Sequence, residues 1–158
     1  MKKIIVIVLI TVVITIYVKY LIIRDNISII QINSDELNIE KLRLKEPIVI
    51  IDKIKKEYIR DKFINEEIKK KEIKKIWERV DSKYIIIYSK EDINIYICKN
   101  KEIRKREPNN KDDIIEIKLK KDRSIILPYM WYYSIAEKEK VLVYEIDDIV
   151  TKLLKYII

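Results

Sequence analysis

The chain has 158 residues, 49% apolar and 38% charged, which suits one compact domain and rules out a disordered tail or a multi-span membrane protein. It has no His and no Gly, which excludes most transition-metal sites, histidine acid–base catalysis, the P-loop and the dinucleotide fingerprint. Cys98 is the one cysteine, so an internal disulfide and a CxxC motif are excluded, and with no histidine to activate it a papain-like site is excluded as well.

Residues 4–23 read IIVIVLITVVITIYVKYLII, twenty positions with a single charge, Lys19. As a helix this run would span about 30 Å, the thickness of a bilayer core. Lys19 can snorkel to the headgroups, Tyr17 and Tyr20 suit the interface, and Thr11 and Thr15 can bond back to their own helix. A globular strand rarely exceeds about ten residues, so a buried strand is the weaker reading. No small-x-small cleavage site follows, since 14–26 contains no Ala, Gly or Ser. An uncleaved single-pass anchor over 1–24 is expected. Lys2, Lys3 and the terminal amine outweigh Lys19 and Arg24 by a narrow margin, which leans the N-terminus to the inside. The anchor carries four basic groups and no acid. Residues 25–158 therefore keep 30 basic against 26 acidic groups, a balance that does not call for nucleic acid.

The rest, 25–158, reads as one domain. A strand is expected at 27–32, and then a helix over 35–44, with Asn33 as its cap and Glu36 three residues on. PIVII at 47–51 reads as a buried strand. Asp52 can cap a helix carrying Ile54 and Tyr58. Asn65 can cap another, with Ile73, Ile76, Trp77 and Val80 on one stripe and Lys69, Lys70, Lys71, Lys74 and Lys75 on its wet face. After Asp81 the period changes to two. Segments 84–89 and 93–98 flank a short polar connection and read as a hairpin. Residues 99–113 form a long polar loop. Strands follow at 114–119, 124–127, 132–135 and 141–146. A closing helix begins at Asp147 and Asp148, with Ile149, Val150, Leu153, Leu154 and Ile157 on one face. The basic residues Lys99, Lys101, Arg104, Lys105 and Arg106 are candidates for phosphate or headgroup contact. Glu102 and Glu107 dilute them, which favours a solvated loop.

The stretch 114–146, IIEIKLKKDRSIILPYMWYYSIAEKEKVLVYEI, resembles the distal half of a cupin-like domain of the JmjC and asparaginyl-hydroxylase type. That pattern is a strand, a Gly-Asp turn, a strand ending in Ile/Leu-Pro, an aromatic pair, a His and another strand. Here Asp122 follows Lys121 instead of Gly, Leu127 and Pro128 close the strand, and Trp131 and Tyr132 take the aromatic pair. Segment 39–52 is similar to the helix, Pro and apolar strand that open such domains. Short cupin-like proteins of this type are associated with large DNA viruses, often AT-rich. Isoleucine makes up roughly a quarter of this chain, as AT-rich codons would give.

The resemblance implies a mainly β fold with helices, a cupin-like jelly-roll or double-stranded β-helix after one N-terminal transmembrane helix. Catalytic relatives hold Fe(II) through two His and a carboxylate. Tyr133 stands at the distal His position, and no second imidazole exists. No metal, cofactor or oxygenase activity is therefore expected. Tyr129, Trp131 and Tyr133 are the candidates for lining a ligand pocket, unless they simply pack the core. The expectation is a membrane protein without catalytic activity, with a structural or interaction role, partnered by the bilayer and by another protein or its own copies. A metal-free enzyme or a sugar or nucleotide-sugar binder is the first alternative, and a weak nucleic-acid or phosphate-binding module the second.

Overall fold

The computed structural model describes residues 2–16, 27–54, 61, 63, 66–99, 108 and 113–157. Helix α1 (Lys2–Ile16) is built largely from β-branched and apolar residues, and its described apolar side chains are exposed, from Val12 at 49% to Ile4 at 65%. The hydroxyls of Thr11 and Thr15 donate to the carbonyls of Ile7 (2.9 Å) and Thr11 (2.8 Å), so neither competes for another partner. At 15 residues α1 is about 22 Å long. Among the described residues no helix is long and apolar enough to cross a membrane, and the remainder of the expected span, 17–23, lies outside them.

The domain is mainly β with a few helices. Among the described residues, β1 (Ile30–Ile32), β2 (Ile48–Ile50), β3 (Glu67–Lys71), β5 (Tyr84–Ser89), β8 (Ser124–Pro128) and β10 (Val141–Asp147) make a sheet of order β1-β2-β8-β5-β10-β3. The second sheet, in the order β4-β9-β6-β7, uses β4 (Trp77–Arg79), β6 (Ile93–Lys99), β7 (Ile114–Leu119) and β9 (Trp131–Ile135). From β3 onward the pairing is nested: β3 with β10, β4 with β9, β5 with β8 and β6 with β7, all antiparallel. The pairs β5–β10 and β6–β9 knit the nest sideways, and β1 lies parallel to β2 at the open edge.

Strand alternation decides which side chains meet. Ile85, Ile87, Ile125, Leu127, Val141 and Val143 of the larger sheet pack against Ile93, Ile95, Ile97, Leu119, Trp131, Tyr133 and Ile135 of the smaller one. Their neighbours Ile86, Ile126 and Ile146 point the other way. There Leu37, Leu42, Ile54 and Phe63 cover them as a second apolar layer. That is why YIIIYS and SIILP read as continuous apolar runs: both faces of β5 and β8 are buried, worth about 2 kcal/mol per isoleucine. With no glycine available, Lys45, Asp122 and Met130 take left-handed backbone at φ 57°, 64° and 71°. Each Cβ there costs about 1 kcal/mol.

Several expectations are corrected. The helix expected over 35–44 breaks into a 3₁₀ turn (Ser34–Glu36) and a short α2 (Ile39–Arg43). Its cap is Asn38, which accepts from the Lys41 N–H at 2.9 Å, whereas Asn33 makes no capping bond. The break lets Leu37 turn into the second apolar layer. Asp52 caps nothing described; it accepts from the N–H (2.7 Å) and hydroxyl (2.5 Å) of Ser34, while Tyr58 lies outside the described residues.

The helix expected after Asn65 is instead β3 and β4. Two open sheet edges, on β10 and β9, offer backbone bonds that outweigh a helical periodicity, and the β-branched and aromatic residues suit them. Ile73 packs on the core while Ile76 is exposed, so they share no stripe. The expected hairpin of 84–89 with 93–98 is not formed either. β5 and β6 lie in different sheets, because β5 is apolar on both faces and needs the middle of the larger sheet. In the closing helix, α3 (Ile149–Ile157), Asp148 caps Thr151 at 2.9 Å. Leu154 and Thr151 face inward, whereas Ile149 and Leu153 face out, which splits the expected apolar stripe.

Candidate functional site

β9 lies between β4 and β6, and its odd positions, Trp131, Tyr133 and Ile135, point between the sheets. Glu78 of β4 stands directly across from Tyr133. Glu145 continues the inward row of Val141 and Val143 on β10. Lys71, the last residue of β3, reaches both carboxylates, at 2.9 Å from Glu145 and 3.8 Å from Glu78. The N–H groups of Lys74 and Lys75 each donate to Glu78 Oε1 at 2.9 Å. The arrangement therefore ties the β3–β4 connection to both sheets.

Burial raises the Glu78 carboxyl, but the two backbone N–H groups and the Lys71 ammonium outweigh it and hold it below the usual carboxylate range. Tyr133 is fully buried, and that burial, with Glu78 and Glu145 nearby, pushes its phenol far above its ordinary value. Its hydroxyl has no hydrogen-bond partner among the described residues. At neutral pH the site is thus an ionised Glu78 beside Lys71, facing a neutral phenol. Glu78 in that state has no proton to donate.

The linkage follows from the direction of the Glu78 shift. Its folded-state value lies below the unfolded one, so its contribution is complete above about pH 4.5 and is lost as pH falls through the folded value. Urea unfolding from pH 7 to about pH 3 should show a shallower acid loss of stability in Glu78→Gln than in the parent protein. Equal acid limbs would mean that the carboxylate is not held by these contacts.

The three aromatic candidates are not brought together as one lining. Trp131 and Tyr133 are fully buried on the inward face of β9. Tyr129 sits half-buried in the β8–β9 turn, with the Arg79 guanidinium 6.0 Å from its ring centroid. Burial raises the Tyr129 phenol as well. Of the basic candidates, Lys99 turns inward: its ammonium lies 3.6 Å from Glu46 and 5.6 Å from the Trp131 ring centroid. Glu46 also accepts from the Ser28 N–H at 3.4 Å. Lys101, Arg104, Lys105 and Arg106 lie outside the described residues.

Sequence reasoning missed Lys71, Glu46, Glu78 and Glu145. The alternation of VLVYEID places Glu145 on an apolar face, and that signal was readable. Lys71 and Glu78 were hidden by the helical reading of their segment.

The residues present do not fit the ferrous ion that the resemblance would imply. The carboxylates hold an ammonium between them, the phenol keeps its proton, and imidazole is lacking. Among the described residues no group of three or more Cys, Asp or Glu could hold a metal ion. The chemistry available is that of a clasp between sheets. Comparison with protein-family models, with curated proteins and with solved structures finds no match for this chain.

Proposed function

We propose that this chain is a membrane-tethered jelly-roll protein of the cupin-like kind, with a structural or interaction role and no catalysis. The nested pairing of β3 through β10 supports the jelly-roll reading, because that order of closure is what two packed sheets of such a fold require. The resemblance of 114–146 adds the cupin-like part. The observation that carries the non-catalytic role is the interior: Trp131 and Tyr133 fill the space between the sheets where a reaction centre would need room. The tether rests on α1, an apolar helix whose described apolar side chains are exposed, and on a sequence that continues through Ile23 with Lys19 as its single charge. With the N-terminus inside, the domain lies on the outer or lumenal face.

The full chain should stay with the membrane fraction through an alkaline carbonate wash. Purified in detergent, it should carry far less than one equivalent of iron, manganese or zinc and should not turn over 2-oxoglutarate. Stoichiometric transition metal, lost in Tyr133→Phe, would make this an enzyme. Release by carbonate would remove the tether.

A second reading, a small polar ligand such as a sugar, draws on the Tyr133 hydroxyl, which lacks a partner among the described residues. A rise in the unfolding temperature with sugars or nucleotide-sugars that Tyr133→Phe abolishes would favour it.

A further inference from the structure

We propose that the domain rests on the bilayer through the end of the sandwich from which the tether leaves, with α3 as a second contact that places Ile149 and Leu153 among the lipids. This rests on the tethered reading above.

The strand registers define that end. β1 and β2 run parallel, and Ile30 bonds back to Pro47, so the chain before β1 emerges beside Glu46. In the same sheet Pro128, Tyr84, Ile146 and Ile68 lie in one row, and Asp147 and Glu67 follow one step further out. α3 starts from that row, and its Lys152 and Lys155 are held by Glu67 and Asp147. The tether root and α3 therefore share one end. The tether root is at β1, one edge of the six-stranded sheet, and α3 leaves from β10, four strand spacings away, about 19 Å at the usual strand spacing.

Ten residues, 17–26, join α1 to the domain. Fully extended they reach about 35 Å, and any helix continuing toward Ile23 shortens that reach. This end of the domain is therefore kept next to the surface that α1 enters. On it, Ile149 is 79% and Leu153 55% exposed.

Two aliphatic side chains offer on the order of 200 Å². A stable dimer needs about 800 Å² from each partner. A bilayer interface sets no such minimum and gains from each side chain inserted. Lys152 and Lys155 are already engaged with Glu67 and Asp147, and Thr151 and Leu154 are buried, so the exposed pair Ile149 and Leu153 lies on the opposite side of the helix. Two contacts four strands apart fix the tilt of the domain, whereas a single tether would leave it free to swing.

The test uses the full chain in mixed phosphatidylcholine and phosphatidylserine vesicles, in a Cys98→Ala background. An environment-sensitive fluorophore is attached at Leu153→Cys, at Ile149→Cys, at Ile10→Cys in α1, and at Ile76→Cys on the opposite end of the sandwich. Nitroxide-labelled lipid should quench positions 149 and 153 at least about twofold more than position 76, with iodide in water showing the reverse order. Quenching by lipid at 10 but not at 149 and 153 overturns the docking and leaves the tether standing. No lipid quenching at 10 overturns both. Protection of 149 and 153 from both quenchers, with a doubled mass, overturns lipid contact in favour of a second copy.

Discussion

Glu46→Ala is expected to lower the stability of the full chain by about 3 kcal/mol, one of the largest single-residue effects in this protein. The Glu46 and Lys99 side chains are only 6% and 8% exposed, so the ammonium would lose its carboxylate in a place where water returns poorly. Part of the loss comes from the Ser28 N–H, which gives up the same acceptor and unpins the chain entering β1. The double substitution Glu46→Leu with Lys99→Met should recover most of the stability, because removing both charges removes the desolvation problem along with the attraction. Chemical denaturation of the parent, Glu46→Ala and the double variant in mild detergent measures it. A double variant as unstable as Glu46→Ala would show that the pair is needed for its geometry as well as its charge balance.

At Tyr133 the two obvious substitutions should move stability in opposite directions. Tyr133→Ala deletes a fully buried ring between the sheets and should cost about 4 kcal/mol, the ordinary consequence of an aromatic-sized cavity. Tyr133→Phe keeps the ring and removes a hydroxyl that is buried without a partner among the described residues; it should gain about 1 kcal/mol. Thermal unfolding of the parent and both variants at pH 7 is sufficient. Loss of stability in Tyr133→Phe would mean that the hydroxyl is bonded in solution, and would strengthen the small-ligand reading. The gain would make Tyr133 a core residue that carries a leftover polar atom.

The site was legible only in part, and the reason lies in where charge sits relative to strand alternation. Trp131 and Tyr133 stood out in sequence through the resemblance of 114–146 to a cupin-like domain, which puts Trp131 in the aromatic pair and Tyr133 at the distal His position. Their neighbours Lys71 and Glu78 did not, since a lysine-rich stretch with Ile at helical spacing looks like a solvated amphipathic helix. Edge pairing with β10 and β9 makes it two strands and turns Lys71 toward the carboxylates. Lys99 shows the same limit. In sequence it heads a basic loop, yet it spends its charge on Glu46, some fifty positions away.

What the sequence by itself determined is the set of exclusions, the apolar N-terminal run, and the strands of the second half. Expected at 114–119, 124–127, 132–135 and 141–146, those strands form at 114–119, 124–128, 131–135 and 141–147, because short apolar runs between local turn residues need no knowledge of distant partners. What only the tertiary structure decided is the partnership of strands and the fate of β3 and β4. The same Ile and Lys residues satisfy a helix or a strand until a sheet edge is available. That edge is formed by segments more than fifty residues downstream, whose backbone donors and acceptors no local pattern can reveal.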